Sequence, residues 1–348
     1  MVISFVHRVA TRGPAARWRE MTLDGTSESI RYLMTDLHLK TVTRTQGCNR
    51  ALKDGTVTPA GVVLELEEVP VLIHAFRRMV RELPYDVCEM ALTTYLCAKE
   101  HGKRFTALPV FLVRGFHHGA ICYNTRSGIR EPKDLEGRKV GVHRGWTVTT
   151  GVWARSILQD EHGVDLSRVT WVLSGDEHVA EYRPPDNVVP VEPGKDIAEM
   201  VAGGELDAAI NLHVDHPDVA PLIPDPAEAG FQALRRRGFY PINHLVVVRD
   251  ELLEEHPDLA VRLFDAFARA KRLYVERLRG DAVTAPTPTD LMYQRVMRIT
   301  GRDPLPYGIE PNRAILETLI RHAVSQRILA RPVAVEGIFP ESTHDLVA

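Results

Sequence analysis

The loop His143-Arg144-Gly145-Trp146 lies between two patterns that together can seat an anion. Before it, Lys139-Val140-Gly141-Val142 reads as a short buried strand. After it, a helix is predicted from near Thr147, with Val148, Val152, Trp153, Ile157 and Leu158 at helical spacing. A strand feeding a helix through a glycine-containing loop leaves free backbone N–H groups and the positive helix end above the sheet. Carboxylate suits that place as well as phosphate does. The same residues also describe a plain strand–loop–helix unit without a ligand, and the pattern alone leaves both readings open. A second cluster, His213-x-Asp215-His216, has residue types that ligate metals. Its loop setting favours a solvated turn, so no metal site is expected.

The chain has 348 residues, enough for two domains of ordinary size, and is 44% hydrophobic and 26% charged. A net charge of −3 gives no case for a nucleic-acid or acidic-membrane surface. Fifteen histidines make proton chemistry worth pursuing. Cys48, Cys88, Cys97 and Cys122 are scattered, with no Cys-x-x-Cys, which speaks against a zinc ribbon or disulfide framework and for reduced thiols. No apolar run approaches the ~18–20 residues that span a membrane. Residues 1–34 carry several arginines and no clear period, and are expected to be a mobile appendage without the pattern of a secretory signal. A cytoplasmic location follows as an expectation.

Strands are predicted at 37–42, 62–66, 85–90, 108–113, 120–123, 139–142, 169–172, 204–210 and 244–248. Helices are predicted at 71–83, 93–101, 196–203 and 252–278 with a break near Pro257, and the remainder, including 311–326, also reads as helical. Residues 183–194 read as a proline-rich loop. Strands alternating with helices argue for parallel α/β sheets.

Asp134-Leu135-Glu136-Gly137-Arg138-Lys139-Val140-Gly141-Val142, a helix, and then Gly204-Glu205-Leu206-Asp207-Ala208-Ala209-Ile210 resemble the second lobe of periplasmic-binding-protein-like folds. The resemblance implies an α/β, two-lobed type II fold with a ligand cleft between lobes. Residues 35–123 and 243–348 would form the first lobe and residues 124–242 the second. Finer matches include Asp86-Val87-Cys88-Glu89-Met90-Ala91-Leu92-Thr93-Thr94-Tyr95, Val152-Trp153-Ala154-Arg155, Pro224-Asp225-Pro226, and Tyr240-Pro241-Ile242-Asn243-His244. With these, the chain resembles the 4,5-dihydroxyphthalate decarboxylase family from Met34 almost to its end. It departs from the family at Arg114-Gly115-Phe116-His117-His118, where His117 replaces a customary arginine, and in the loop after Ile210.

The resemblance implies a cofactor-independent decarboxylase of a hydroxylated aromatic dicarboxylate. In such a substrate each carboxylate is para to a hydroxyl, so polarising the hydroxyl pushes electrons to the carbon that loses carbon dioxide. The site must hold the retained carboxylate, polarise a phenol and deliver a proton to carbon. His118 and His244 at matched positions, with Glu89, are the implied proton-handling residues. Arg50 and Arg114, each after a first-lobe strand, are the implied carboxylate forks. His117, His143 and Thr149 are further implied substrate contacts, and Trp153 is expected in the core. The partner expected is a small aromatic carboxylate, with homo-oligomerisation left open. A non-catalytic solute-binding protein for an aromatic carboxylate is the alternative reading.

Overall fold

A computed structural model describes residues 36–348. The appendage predicted over residues 1–34 lies outside the described residues. The strands are β1 Leu37–Val42, β2 Val62–Leu66, β3 Val87–Ala91, β4 Phe105–Arg114, β5 Ile121–Asn124, β6 Lys139–Val142, β7 Thr170–Leu173, β8 Val188–Pro190, β9 Ala208–Ile210, β10 Val219–Pro221 and β11 Ile242–Arg249. They form one sheet in the order β2-β1-β3-β11-β4 and another in the order β10-β5-β9-β6-β7-β8.

The two sheets share a plan. In each, a strand reached by crossing from the other sheet inserts antiparallel: β11 between β3 and β4, and β5 between β9 and β10. The other paired strands run parallel. This is the two-lobed, type II periplasmic-binding-protein-like architecture expected from the sequence. The crossing segments lie side by side, with Gly115 N–H donating to Pro241 O at 3.2 Å.

Burial follows from this layering. All five residues of β3 are buried, as a central strand covered on both faces requires. Four of them are ordinary core residues, and the fifth is Glu89. The helix Leu72–Glu82 covers one face of the first sheet with Ala75, Phe76, Met79 and Val80 inward. The helix Thr149–His162 buries Val152, Trp153, Ile157 and Leu158. Trp153 is fully buried as expected, its indole N–H donating to Ile242 O at 2.9 Å where the chain returns to the first sheet.

Some elements differ from the sequence reading. The proline-rich stretch 183–194 contains β8, a three-residue edge strand ending in Pro190. Edge position makes that proline tolerable, because no neighbour needs its missing N–H. The helix Pro226–Arg237 has no counterpart in the sequence reading, while Pro288–Thr300 falls in the stretch after Leu278 read as helical. Each carries proline in its first turn and ends at a glycine in the left-handed region, Gly238 and Gly301. No helix of the described residues is long and apolar enough to cross a membrane.

Candidate active site

Glu89 stands in the middle of β3 with no solvent exposure. An acid so placed needs donors, since no water can supply them. Three groups do. Arg44 backbone N–H donates to Oε2 at 2.9 Å, and the Gln46 amide lies 3.3 Å from Oε1. His244 Nδ1 lies 2.7 Å from Oε1. The carboxylate can only accept here, so Nδ1 carries the hydrogen and Nε2 is the ring nitrogen left for another partner.

Sheet pairing brings the two together from 155 residues apart. In the antiparallel ladder His244 faces Ala91 and Val246 faces Glu89, which makes Glu89 and His244 diagonal neighbours on one face. The β4–β11 register is irregular between Ile242 and His244, a bulge that turns Asn243 and His244 toward the same void. The edge of Phe76 packs on the His244 ring, with centroids 5.1 Å apart, and restricts its rotation.

His244 opens into a cleft of about 390 Å³ between the lobes. Two helix N-termini converge there, those of Leu92–Glu100 and Thr149–His162. Neither is capped by its own N-cap residue, Ala91 or Val148, although Thr149 Oγ1 takes up the Thr93 N–H of the first helix. Their remaining free N–H groups and positive ends favour a guest with carboxylates. Arg44 follows β1 and Arg144 follows β6, so each lobe contributes an arginine from the carboxyl end of a strand. Arg144 has φ 75°, a left-handed conformation costing about 1–2 kcal/mol for a side-chain-bearing residue. Thr94 Oγ1 is buried at the cleft without a hydrogen-bond partner.

His178 closes one wall. Burial pushes its pKa down to about 4, so the ring is neutral at neutral pH. The rim beside it joins the lobes. Arg77 and Arg81 reach Asp176 at 2.7 and 3.0 Å, and Arg81 also donates to the backbone oxygens of Glu177 and His178. Glu177 in turn accepts from Thr147 Oγ1 at 2.7 Å and from the N–H groups of Trp146 and Thr147. Burial raises the Glu177 carboxyl pKa, against the pull of those hydrogen bonds.

The 4,5-dihydroxyphthalate decarboxylase of Comamonas testosteroni is 30% identical over 309 residues, covering 83% of this chain and 92% of that protein. The chain belongs to the 4,5-dihydroxyphthalate decarboxylase family, a family of carboxy-lyases. A second decarboxylase of the same name, from Pseudomonas putida, is 34% identical over 196 residues, 52% of this chain and 74% of that protein. The desulfurization enzyme DSZB superposes with a TM-score of 0.51 at 18% identity, over 88% of this chain and 97% of that one, a likeness of fold alone. No family model matches.

Within this decarboxylase-family chain the residues singled out from sequence separate into groups. Glu89, His244 and Thr149 come together at the cleft. Thr149 Oγ1 accepts from Thr93 N–H at 3.0 Å and lies 2.9 Å from Thr93 Oγ1, which ties the two helix starts together. His117 is one layer back. Its Nε2 donates to Asn243 Oδ1 at 2.7 Å, and burial pushes its pKa down to about 4.

His118 does not line the cleft. It is fully buried in the crossing segment, with Nε2 3.1 Å from Glu161 and its ring edge-on to Phe239. His143 sits on the loop after β6, outside the cleft lining, with Nδ1 3.5 Å from Ser174 Oγ. Burial and the neighbouring Arg144 lower its pKa. Arg50 and Arg114 line a different cavity. Arg114 is buried, donating to Asn312 Oδ1 and Tyr240 O at 2.6 Å each and stacking on Tyr240. The loop with His213 and Asp215 is exposed, and among the described residues no three His, Cys, Asp or Glu side chains gather as metal ligands.

Arg44, Arg144, His178 and Asn243 were not singled out from sequence as site residues. Arg44, Arg144 and Asn243 lie within two residues of a strand end, so asking which polar residues lie at the strand ends facing the cleft would have found them, whereas His178, in the loop between β7 and β8, carries no such signal.

Proposed function

We propose that the chain decarboxylates 4,5-dihydroxyphthalate to 3,4-dihydroxybenzoate by protonating the ring carbon that bears the departing carboxylate. The observation that carries this reading is the His244–Glu89 pair, a ring nitrogen facing a cleft where two helix N-termini converge, neither capped by its own N-cap residue. The two relatives that bear the decarboxylase name support the substrate.

In this reading the helix N-termini and Arg144 hold the retained carboxylate, and Arg44 faces the phenol from the other lobe. An ionised phenol feeds electrons into the ring. His244, protonated on Nε2, gives its hydrogen to the ring carbon. The bond from that carbon to the carboxylate then breaks, its electron pair restores aromaticity, and carbon dioxide leaves. Glu89 holds the ring orientation and balances the imidazolium charge through Nδ1–H. The net change is one proton consumed and one carbon dioxide released. The substrate ring handles the electrons, so the proposal calls for no cofactor. A cytoplasmic setting belongs to the same proposal, supported by four free, buried cysteines.

The test is incubation of purified protein with 4,5-dihydroxyphthalate, with carbon dioxide and 3,4-dihydroxybenzoate followed by mass. In deuterium oxide the product carries one ring deuterium at the vacated position. Recovery of the dicarboxylate unchanged would return the chain to the alternative, a non-catalytic solute-binding protein.

A further inference from the structure

Beside the cleft lies a larger cavity of about 650 Å³ that the decarboxylation chemistry does not use. Among the described residues the two share only Arg44 and Val113 as lining. Among the described residues, four arginines line the second cavity, Arg44, Arg50, Arg114 and Arg277, against one acid, Asp290. That acid is already engaged. It accepts from Tyr274 Oη, from Thr287 N–H at 2.8 Å and from Thr287 Oγ1 at 2.7 Å. Among the described residues the side chains of Arg44, Arg50 and Arg277 have no ion-pair partner. Arg114 at the floor is 5% exposed and is held by two neutral oxygens. Clustered cations that outnumber the counter-charges in a concave site raise the local positive potential and concentrate anions.

The wall between the cavities is the loop 43–47. On the cleft side its Arg44 N–H and Gln46 amide hold Glu89. On the other side Gly47 lies against Tyr274, so close that a Cβ there would clash with the ring. The loop is therefore wedged between Glu89 and the long helix Leu259–Arg279, which carries Tyr274 and Arg277. A ligand that draws on Arg44 or moves Tyr274 acts on a donor of Glu89.

We propose that this cavity is an effector site for a small organic polyanion, a polycarboxylate or a phosphate compound, whose occupancy is transmitted to the His244–Glu89 pair through the loop 43–47. The transmission rests on the reading of that pair as the reacting one; the binding does not.

The experiment is calorimetric titration of the full chain with citrate and, separately, with inorganic phosphate, at constant ionic strength. Binding of either probe is expected in the wild type, undiminished in His244→Ala, and weakened about tenfold or more in Arg277→Glu and in Arg50→Ala. Citrate alone binding identifies a polycarboxylate, and phosphate alone a phosphate compound. The bound probe should also shift kcat/KM for 4,5-dihydroxyphthalate in the wild type and not in Arg277→Glu. No binding of either probe, or binding unaffected by Arg277→Glu and lost in Arg144→Ala, overturns the site. A chain without decarboxylase activity whose citrate affinity still falls in Arg277→Glu keeps the anion site and removes the proposed reaction.

Discussion

Of the three histidine–glutamate pairs among the described residues, one, His38–Glu65, is exposed on both sides, and the other two have similar lengths and opposite burial. In His244–Glu89, 2.7 Å apart, the acid side chain is sealed and the ring is 18% exposed toward the cleft. In His118–Glu161, 3.1 Å apart, the ring is sealed and the acid is 22% exposed. The first arrangement fixes the tautomer with a buried carboxylate and leaves the outer nitrogen for a substrate. The second leaves His118 Nδ1 buried without a partner and shares Glu161 with Arg237. One pair is built to meet a ligand, the other to pin the crossing segment to the helix Thr149–His162. A histidine beside a carboxylate is therefore uninformative until it is known which partner faces the void.

The sharpest way to break this contrast is at His244. His244→Ala should lower kcat about 10³-fold, with substrate binding changed only a few-fold, because it removes proton transfer in the transition state. Glu89→Gln should cost about 10²-fold, since the amide still fills the site but cannot balance an imidazolium charge. Steady-state kinetics on folded protein checks both. A His244→Ala enzyme within tenfold of wild type would erase the distinction between the pairs.

Acid is the next lever. Burial pushes His117 and His178 down to about 4 from an ordinary value of 6.5. Both rings are neutral in the folded chain at neutral pH, while the unfolded chain takes up protons as pH falls below 6.5. Their contribution to stability is complete above pH 6.5 and is lost as pH falls toward 4, on the order of 3 kcal/mol for each ring. Denaturant melts from pH 7 to 4 measure it. His178→Phe should flatten part of that loss, and a wild-type curve flat over this window would contradict the burial of both rings.

His118 should show the opposite signature from His244. His118→Ala empties a sealed position and strips Glu161 of a partner, so unfolding stability should drop by about 2–3 kcal/mol. Turnover by the folded fraction should stay within about threefold of wild type. A large loss of kcat with unchanged stability would place His118 in the chemistry after all.

Much of the fold was readable because each strand is short, apolar and set off by turn residues, as at Leu37–Val42, Val62–Leu66 and Lys139–Val142. Nothing local in β5 or β11 says that each inserts into a sheet built by distant strands. The Glu89–His244 distance is a property of that insertion and of a bulge at Asn243, neither of which leaves a local pattern. His118 misled for the same reason. It adjoins the cleft in sequence and matches the family, but the turn at His118–Ala120 directs its ring into the packing of the crossing segment. Arg50 and Arg114 follow strands as expected, yet the loop 43–47 walls them into the neighbouring cavity.

The smallest expected effect concerns how the lobes are held together over the cleft. Thr93 Oγ1 donates to Thr147 O at 2.6 Å, and a carbonyl can only accept. The Thr149 hydroxyl must then donate to Thr93 Oγ1 while accepting from Thr93 N–H, so every polar atom of the pair is satisfied. Thr149→Val orphans the Thr93 N–H and should cost about 1 kcal/mol of the closed arrangement, read as a rise of about fivefold in KM with kcat little changed. Thr149 also lines the cleft, so a substrate contact would give the same result. Thr93 does not line it. If Thr93→Val raises KM by a similar factor and Thr149→Ser keeps the wild-type KM, the hydroxyl pair acts as a clasp between lobes. If only Thr149→Val has an effect, its hydroxyl serves the substrate directly, and the two helix starts meet for the sake of the anion between them.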